Sequence, residues 1–144
     1  MPKFDFSELT DFREDLLSFA KDLHNGKHAK KFLGKSGTKL KNATVKDAKS
    51  KVNKVTGNLF EGIKRGKPYK YFVDRSMAVR VYGGKKASHL HLLNDGHRIV
   101  DKNDKEHGFV EGKHFMESAL NGYEEQYVKD TLDFLDDLLD NHLL

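Results

Sequence analysis

The spacing of apolar residues predicts a helix at the start of the chain. Six apolar side chains recur at intervals of three and four residues and therefore share one helix face. They are Leu9, Phe12, Leu16, Phe19, Ala20 and Leu23. Ser7 suits the N-cap position, and the pair Asn25-Gly26 is typical of a helix end. We expect a helix over residues 7–24 within an N-terminal segment of residues 1–26.

Residues 27–55 form a second segment with helical spacing and many lysines. Its apolar face holds Ala29, Phe32, Leu33, Leu40 and Ala43, and the opposite face holds Lys27, Lys30, Lys31, Lys35 and Lys41. From Val45 onward the apolar positions point in another direction. This shift predicts a kink or break near Asn42, with Thr44 and Asp47 as a capping pair that restarts the helix.

Residues 56–113 change to an alternation of apolar and polar positions, which predicts β-strands. Residues 69–73 and 77–82 are expected to form a hairpin with one face in the core. A second pair of strands is expected at 97–100 and 108–110, on either side of a polar loop. The apolar run between the two pairs is too short to separate a helix from an extended piece.

Residues 114–144 return to helical spacing and predict a long amphipathic helix over residues 115–141. The apolar face holds Met116, Ala119, Leu120, Tyr123, Tyr127, Thr131, Phe134, Leu135 and Leu138; the acidic face holds Glu125, Asp130, Asp133, Asp136, Asp137 and Asp140. The four segments together predict a single α+β domain. It combines a long N-terminal helical part, a small antiparallel β-sheet and a long C-terminal helix.

Composition narrows the function classes. A chain of 144 residues is sized for one domain. The absence of cysteine excludes disulfides, thiolate metal sites and a cysteine nucleophile. No apolar run approaches the roughly 20 residues that a membrane-spanning helix needs. We therefore expect a soluble protein that is not secreted and has no membrane partner.

Charge is divided unevenly along the chain. Lys and Arg outnumber Asp and Glu by 21 to 9 through Lys86, whereas from Ala87 onward the ratio is 5 to 13. The basic part is able to bind nucleic acid through phosphates. Alternatively, the lysine face of residues 27–54 pairs with the acidic strip of Asp133, Asp136, Asp137 and Asp140, either between neighbouring subunits or within one subunit. A solvated lysine face is the simplest interpretation.

Candidate catalytic chemistry is sparse. His89 and His91 have strand-like spacing and, with Asp95, suggest a metal site, but no helical His-Glu-x-x-His pattern is present. Ordinary surface histidines are the favoured interpretation. Tyr69, Tyr71 and Phe72 either stack on single-stranded nucleic acid or pack in the sheet, and packing is favoured. We expect no catalytic residues, no bound metal and no cofactor.

Three short motifs, taken in order, resemble those of a phage family. They are Thr56-Gly57-Asn58-Leu59 followed by Ile63, the apolar stretch 87–96 ending in Gly96, and Phe115-Met116-Glu117-Ser118-Ala119-Leu120. The family comprises small head–tail joining proteins of tailed phages, also described as neck, tail-completion or minor tail components. The resemblance covers residues 27–139. Asn94-Asp95 stands where the family has a Glu-aromatic pair, and His114 stands where it has proline.

The resemblance implies a structural virion protein without catalytic activity. It implies a homo-oligomeric ring, a hexamer with a dodecamer as the alternative, at the neck or at the tail end that joins the head. Its neighbours would be connector, portal-side and tail proteins, with packaged DNA passing nearby, and assembly would take place in the host cytoplasm. Two other hypotheses remain: a basic nucleic-acid-binding module that uses residues 27–54, and a histidine-dependent metal hydrolase.

Overall fold

The computed structural model describes residues 7–53 and 57–142 of the chain. Three long helices form its frame, namely α1 (Ser7–His24), α2 (Lys27–Lys51) and α5 (Phe115–His142). The boundary between α1 and α2 lies at Asn25-Gly26, as the sequence predicts, and Gly26 has a left-handed φ of 73°. The fold is α+β, which confirms the predicted class.

Helix α2 is continuous through Asn42, so the predicted break is wrong. Thr44 does not cap a new helix. It is buried inside α2, and its hydroxyl donates a hydrogen bond of 2.8 Å to the Leu40 carbonyl. The apolar face shifts because the two halves of one helix have different neighbours. The first half packs against α5, whereas Val45, Ala48 and Val52 pack into the central core.

Helix α2 ends earlier than predicted. Val52 is extended, and its N–H donates to the Ala48 carbonyl at 2.8 Å, which closes the last turn. The predicted end at Val55 lies outside the described residues, as does Thr56.

The central segment begins with the short helix α3 (Asn58–Gly62) and four short strands. These are β1 (Ile63–Arg65), β2 (Tyr69–Lys70), β3 (Met77–Ala78) and β4 (Val81–Gly83). β1 pairs antiparallel with β4, and β2 pairs antiparallel with β3. The predicted hairpin therefore exists, but its first strand is shortened to β2 and its second strand divides into β3 and β4.

The prediction that one hairpin face lies in the core is wrong for the β2 side. Tyr69, Tyr71, Phe72 and Val73 are all exposed, and Phe72 retains 86% of its accessible surface. Alternation shows that a strand has two distinct faces, but it does not show that another element covers one of them. Burial in this part of the fold comes instead from Ile63 on β1, which is 1% exposed.

A short 3-10 helix (Lys85–Ala87) and α4 (Leu90–Asp95) follow, so the ambiguous apolar run is helical. The predicted second hairpin is confirmed as β5 (Gly96–Val100) paired with β6 (Glu106–Glu111). The strands among the described residues form three separate two-stranded sheets rather than one.

The core lies where α2, α3, β1, the 3-10 helix, α4 and the start of α5 meet. Its buried members are Ala48, Leu59, Ile63, Ala87, Leu90 and Phe115. Gly62 permits a close approach to Ala87, because a Cβ there would lie 2.4 Å from the Ala87 Cβ and 2.6 Å from the Ala87 nitrogen. No helix in the described ranges has the length and apolar character needed to cross a membrane.

Candidate functional surfaces

The motif residues lie in the core and in the turns that border it. Their described members are Gly57, Asn58, Leu59, Gly96, Phe115 and Ala119. Leu59, Phe115 and Ala119 are buried, whereas Asn58 is exposed at the start of α3. Gly57 and Gly96 have φ values of 81° and 89°, which side chains rarely tolerate. The structure therefore places these positions in the framework of the fold rather than in an exposed site.

Asn94 joins the second and third motifs. Its side-chain oxygen accepts a hydrogen bond from the Met116 N–H at 3.0 Å, and its amide nitrogen donates to Glu117 at 3.0 Å. The His114 N–H also donates to the Asn94 carbonyl at 3.0 Å. Asn94 is buried, so it satisfies the first turn of α5 from a neighbouring element. Sequence reasoning missed this role because Asn94 lies 22 residues before Met116.

Helices α2 and α5 pack antiparallel along the first half of α2. The Phe32 ring stacks on Phe134 with centroids 4.5 Å apart and lies 6.0 Å from the Tyr127 ring. Further along, Tyr123 is buried, and it hydrogen-bonds with Ser36. Burial raises the pKa of the Tyr123 phenol, and the Ser36 hydrogen bond opposes that shift.

One direct ion pair joins the basic and acidic helices. Lys39 Nζ lies 2.6 Å from an oxygen of Asp130, whose side chain is half-buried at the interface. The hydrogen bond with Asp130 raises the pKa of Lys39, and the bond from Lys39 lowers the pKa of Asp130. Gln126 donates a second bond of 2.8 Å to the same carboxylate. Asp130 therefore belongs to the α2–α5 contact and not to an outer acidic face.

The predicted acidic strip divides into two parts. Asp133 and Asp137 border a groove on the α2 side, together with Lys31, Lys35 and Lys39. Asp136 and Asp140 are exposed and do not line that groove. Asp133 and Asp137 thus lie beside lysines of the same subunit, as in the alternative where the acidic strip and the lysine face meet within one subunit. A contact with another subunit remains a prediction for Asp136 and Asp140.

The predicted lysine face also divides. Lys27 lies 3.5 Å from Asp22 of α1, and Lys41 is half-buried. Lys30, Lys31 and Lys35 are exposed and border a second, shallow groove. Its far wall is Arg65 and Pro68, on the connection from β1 to β2. This wall lies about thirty residues along the chain from the lysines, so sequence periodicity did not identify it.

The histidines do not converge. His89 and His91 are both exposed around the start of α4, and His107 instead pairs with Asp101 at 2.9 Å in the β5–β6 hairpin. The described residues contain no group of three or more His, Asp or Glu side chains arranged to hold a metal ion. The structure thus does not assemble the predicted His89, His91 and Asp95 set.

Asp101 organises the polar loop between β5 and β6. Its carboxylate accepts hydrogen bonds from the backbone N–H groups of Asn103 and Lys105, at 2.8 and 3.0 Å. The hydrogen bond with His107 is the main cause that lowers the Asp101 pKa, and the two backbone bonds add to it. The loop therefore has internal order that its polar composition alone did not indicate.

Several large apolar residues stay exposed on the two outer helices. On α1, Phe19 is the buried member of the predicted apolar stripe, whereas Leu9, Phe12, Leu16 and Leu23 remain exposed. On α5, an exposed stripe runs at alternating four- and three-residue spacing through Val128, Leu132, Leu135 and Leu139.

No family model, no curated protein and no solved structure gives a significant match to the chain.

Proposed function

We propose that this protein is a structural subunit of a tailed-phage particle, and that it forms a homo-oligomeric ring at the neck or at the tail end that joins the head. The observation that carries the assembly part of the proposal is the apolar surface that α1 and α5 leave exposed to water in the described part of the subunit.

The exposed apolar side chains follow ordered patterns. The α5 stripe of Val128, Leu132, Leu135 and Leu139 has the alternating spacing of a coiled-coil seam. Leu9, Phe12, Leu16 and Leu23 have the same type of spacing on α1. Soluble monomers rarely expose contiguous apolar surface of this kind, and such surface marks protein–protein contacts. Both stripes support a subunit whose burial is completed by neighbours.

The resemblance to head–tail joining proteins is the reason for proposing that this assembly forms part of the virion. The motif residues that carry the resemblance lie in the core and its turns, which suits a shared framework. The acidic surface of Asp136 and Asp140 and the basic surface of Lys30 and Lys31 are both exposed in the same subunit. Surfaces of opposite charge on one subunit favour a heterologous contact, which closes into a ring when the rotation permits.

The first experiment tests assembly through the α5 stripe. The double variant Leu132→Ser, Leu135→Ser should remain folded, because both side chains are about half exposed in the subunit. Light scattering should give it a lower mass than the wild-type ring, and analytical ultracentrifugation should give it a lower sedimentation coefficient. Lys102→Ser with Lys105→Ser, in an exposed loop, is the matched control and should assemble normally. A wild-type protein that stays monomeric at high concentration, and is absent from purified particles, would overturn the proposal.

A second experiment separates the two acidic surfaces. Asp136→Asn with Asp140→Asn removes charge from the outer surface, whereas Asp133→Asn with Asp137→Asn removes charge beside the lysines of the same subunit. We expect the first pair to reduce incorporation into particles and the second pair to leave it closer to normal. Equal incorporation of the first pair and the wild type at physiological salt would refute the electrostatic contact between subunits. Imaging of an intact particle would locate the ring.

A further inference from the structure

We infer that the shallow groove between α2 and the β1–β2 connection, together with the aromatic tip of the β2–β3 hairpin, binds single-stranded nucleic acid. The inference concerns the free subunit, in which Lys30 and Lys31, also named above for the subunit contact, are exposed. Two independent features support it: a groove whose charged lining residues are all cationic, and exposed aromatic rings on the hairpin that leaves the groove.

The groove, here called the cationic groove, is lined by Lys30, Lys31, Lys35, Lys39 and Arg65. None of its lining residues is acidic. Lys39 is already paired with Asp130, so it contributes little free charge. Within the described ranges, no carboxylate lies within ion-pair distance of the other four side chains. Lys31 and Lys35 also border the groove that holds Asp133 and Asp137, but no carboxylate lines the cationic groove itself. A groove whose charged lining residues are all cations attracts a polyanion, and release of the polyanion's bound counterions favours binding.

Two glycines of α2 let Arg65 approach the helix closely, and one of them, Gly34, lines the cationic groove. A Cβ at Gly37 would lie 2.8 Å from the Arg65 Cδ, and a Cβ at Gly34 would lie 3.4 Å from the Arg65 Nη1. The Arg65 side chain therefore lies flat across the helix, where a larger residue at position 37 would displace it. Its guanidinium donates to the carbonyl of Gly66 at 3.4 Å, and the Arg65 side chain is part of the groove lining. Glycine within α2 thus has a steric reason that helix propensity does not supply.

The aromatic tip continues directly from the groove. Pro68 lines the groove, and the next residue is Tyr69, the first residue of β2. Tyr69, Tyr71 and Phe72 are all exposed, and the Tyr71 and Phe72 rings lie 5.2 Å apart. A basic groove that leads to exposed rings is the arrangement by which proteins hold a phosphate backbone while bases stack on side chains.

Charge around the hairpin favours the same ligand. Lys67, Lys70 and Arg75 are exposed beside the aromatic rings. Asp74 is the one acidic residue of the turn, and its carboxylate accepts bonds from the Ser76 N–H and hydroxyl at 3.0 and 2.7 Å. Asp74 therefore serves to form the turn. Exposed rings flanked by cations suit unpaired bases, whereas a duplex keeps its base faces stacked and offers only phosphates.

The test measures fluorescence anisotropy of labelled dT20 and of a 20-base-pair duplex with the full-length chain across a salt series. We expect dT20 to bind more tightly than the duplex, and rU20 to bind within tenfold of dT20, because stacking does not read the sugar. The affinity constant falls as salt rises, and the variant Lys30→Gln, Lys31→Gln, Lys35→Gln should make the slope of log K against log salt less negative by about 2. Lys46→Gln, Lys51→Gln, Lys85→Gln changes the net charge equally, lies outside the groove, and should leave the slope near that of the wild type.

Phe72→Ser tests the aromatic tip separately. The ring is 86% exposed, so the change should not alter the melting temperature. It should weaken dT20 binding by about tenfold while the salt slope stays constant, because no charge is lost. Three results would overturn the inference: no dT20 binding at low salt, equal losses in the groove and control lysine variants, or tighter binding of the duplex. A Phe72→Ser variant that changes the oligomeric state but binds dT20 normally would show instead that the tip contacts protein.

Discussion

The core around Phe115 and the outer parts of α1 and α5 differ in how far their apolar residues are buried. In the core, short elements meet, and Ala48, Ile63 and Phe115 retain at most 1% of their surface. On α5, about five helical turns after Phe115, Leu132 retains 58% of its accessible surface. The long helices are thus well buried where they face the short central elements, as at Ala48 and Phe115, and only partly covered elsewhere.

This difference shows that regular secondary structure and burial are separate properties. A long amphipathic helix forms from local spacing, but its apolar face is stabilised only where another element lies against it. The short elements at the core, α3, β1 and α4, are too short to be stable alone, so they form only because they pack together. Changes in the core should therefore lower the stability of the subunit, whereas changes on the outer helices should alter assembly.

Truncation of Phe115 should have the largest effect. Phe115→Ala removes a fully buried ring at the junction of α4 and α5, and should lower the free energy of unfolding by about 3–5 kcal/mol. Urea denaturation followed by circular dichroism measures the loss. Phe72→Ala, at an exposed ring, is the matched control and should change the stability by less than about 0.5 kcal/mol. Similar losses at both positions would remove the distinction between core and periphery.

Loss of the Asn94 side chain should have the next largest effect. Asn94→Ala removes the acceptor for the Met116 N–H at the start of α5 and leaves that group without its partner. We expect a loss of about 1–3 kcal/mol in the free energy of unfolding. Asn42→Ala, at an exposed position of α2, should be close to neutral. A neutral result at Asn94 would show that α5 does not depend on this cap.

Replacement of Gly122 and of the core residue Gly62 by alanine should change the free energy of unfolding in opposite directions. No atom lies within 4 Å of a Cβ placed at Gly122 in α5, so Gly122→Ala should raise the free energy of unfolding by about 0.5–1 kcal/mol through helix propensity. Gly62→Ala should lower it, because the added Cβ would overlap Ala87. Thermal melting of the two variants checks both signs, and the same sign for both would contradict the packing described for α3.

The Lys39–Asp130 pair should give the smallest effect and a defined pH dependence. The folded state holds the Asp130 pKa below its ordinary value of 3.8, so the stabilisation is present above that value and is lost as pH falls through the lowered pKa. The Lys39 pKa is raised above 10.5, so its contribution is lost only as pH rises beyond that range. The stability difference between wild type and Asp130→Asn should be flat near neutral pH and shrink in acid. An unchanged difference at pH 2 would contradict this assignment.

Sequence reasoning succeeded where local spacing decides the structure. It placed α1 and α5 closely, located the boundary at Gly26 and identified the β5–β6 hairpin. It failed where a distant neighbour decides the outcome. The shift of the apolar face near Asn42 was interpreted as a break in the helix, although it reflects a change of partner from α5 to the central core.

The candidate surfaces follow the same division. The lysines and aspartates were identified as charged strips, but their distribution among a groove within the subunit, an outer surface and the cationic groove depends on how α2 packs. The contribution of Arg65 was not predictable, because it requires the close approach that Gly37 allows. Exposure of Phe72 was likewise not predictable from alternation in the strand.

The sequence by itself determined the α+β class, the long helices α1 and α5, the helical character of the segment between Lys27 and Lys51, and the separation of basic from acidic residues, because these depend on spacing and composition along the chain. Only the tertiary structure decided which charges are paired, which apolar residues stay exposed and which turn caps α5. Those properties depend on contacts between residues far apart in sequence, such as Asn94 with Met116 and Lys39 with Asp130. Periodicity carries no information about such contacts.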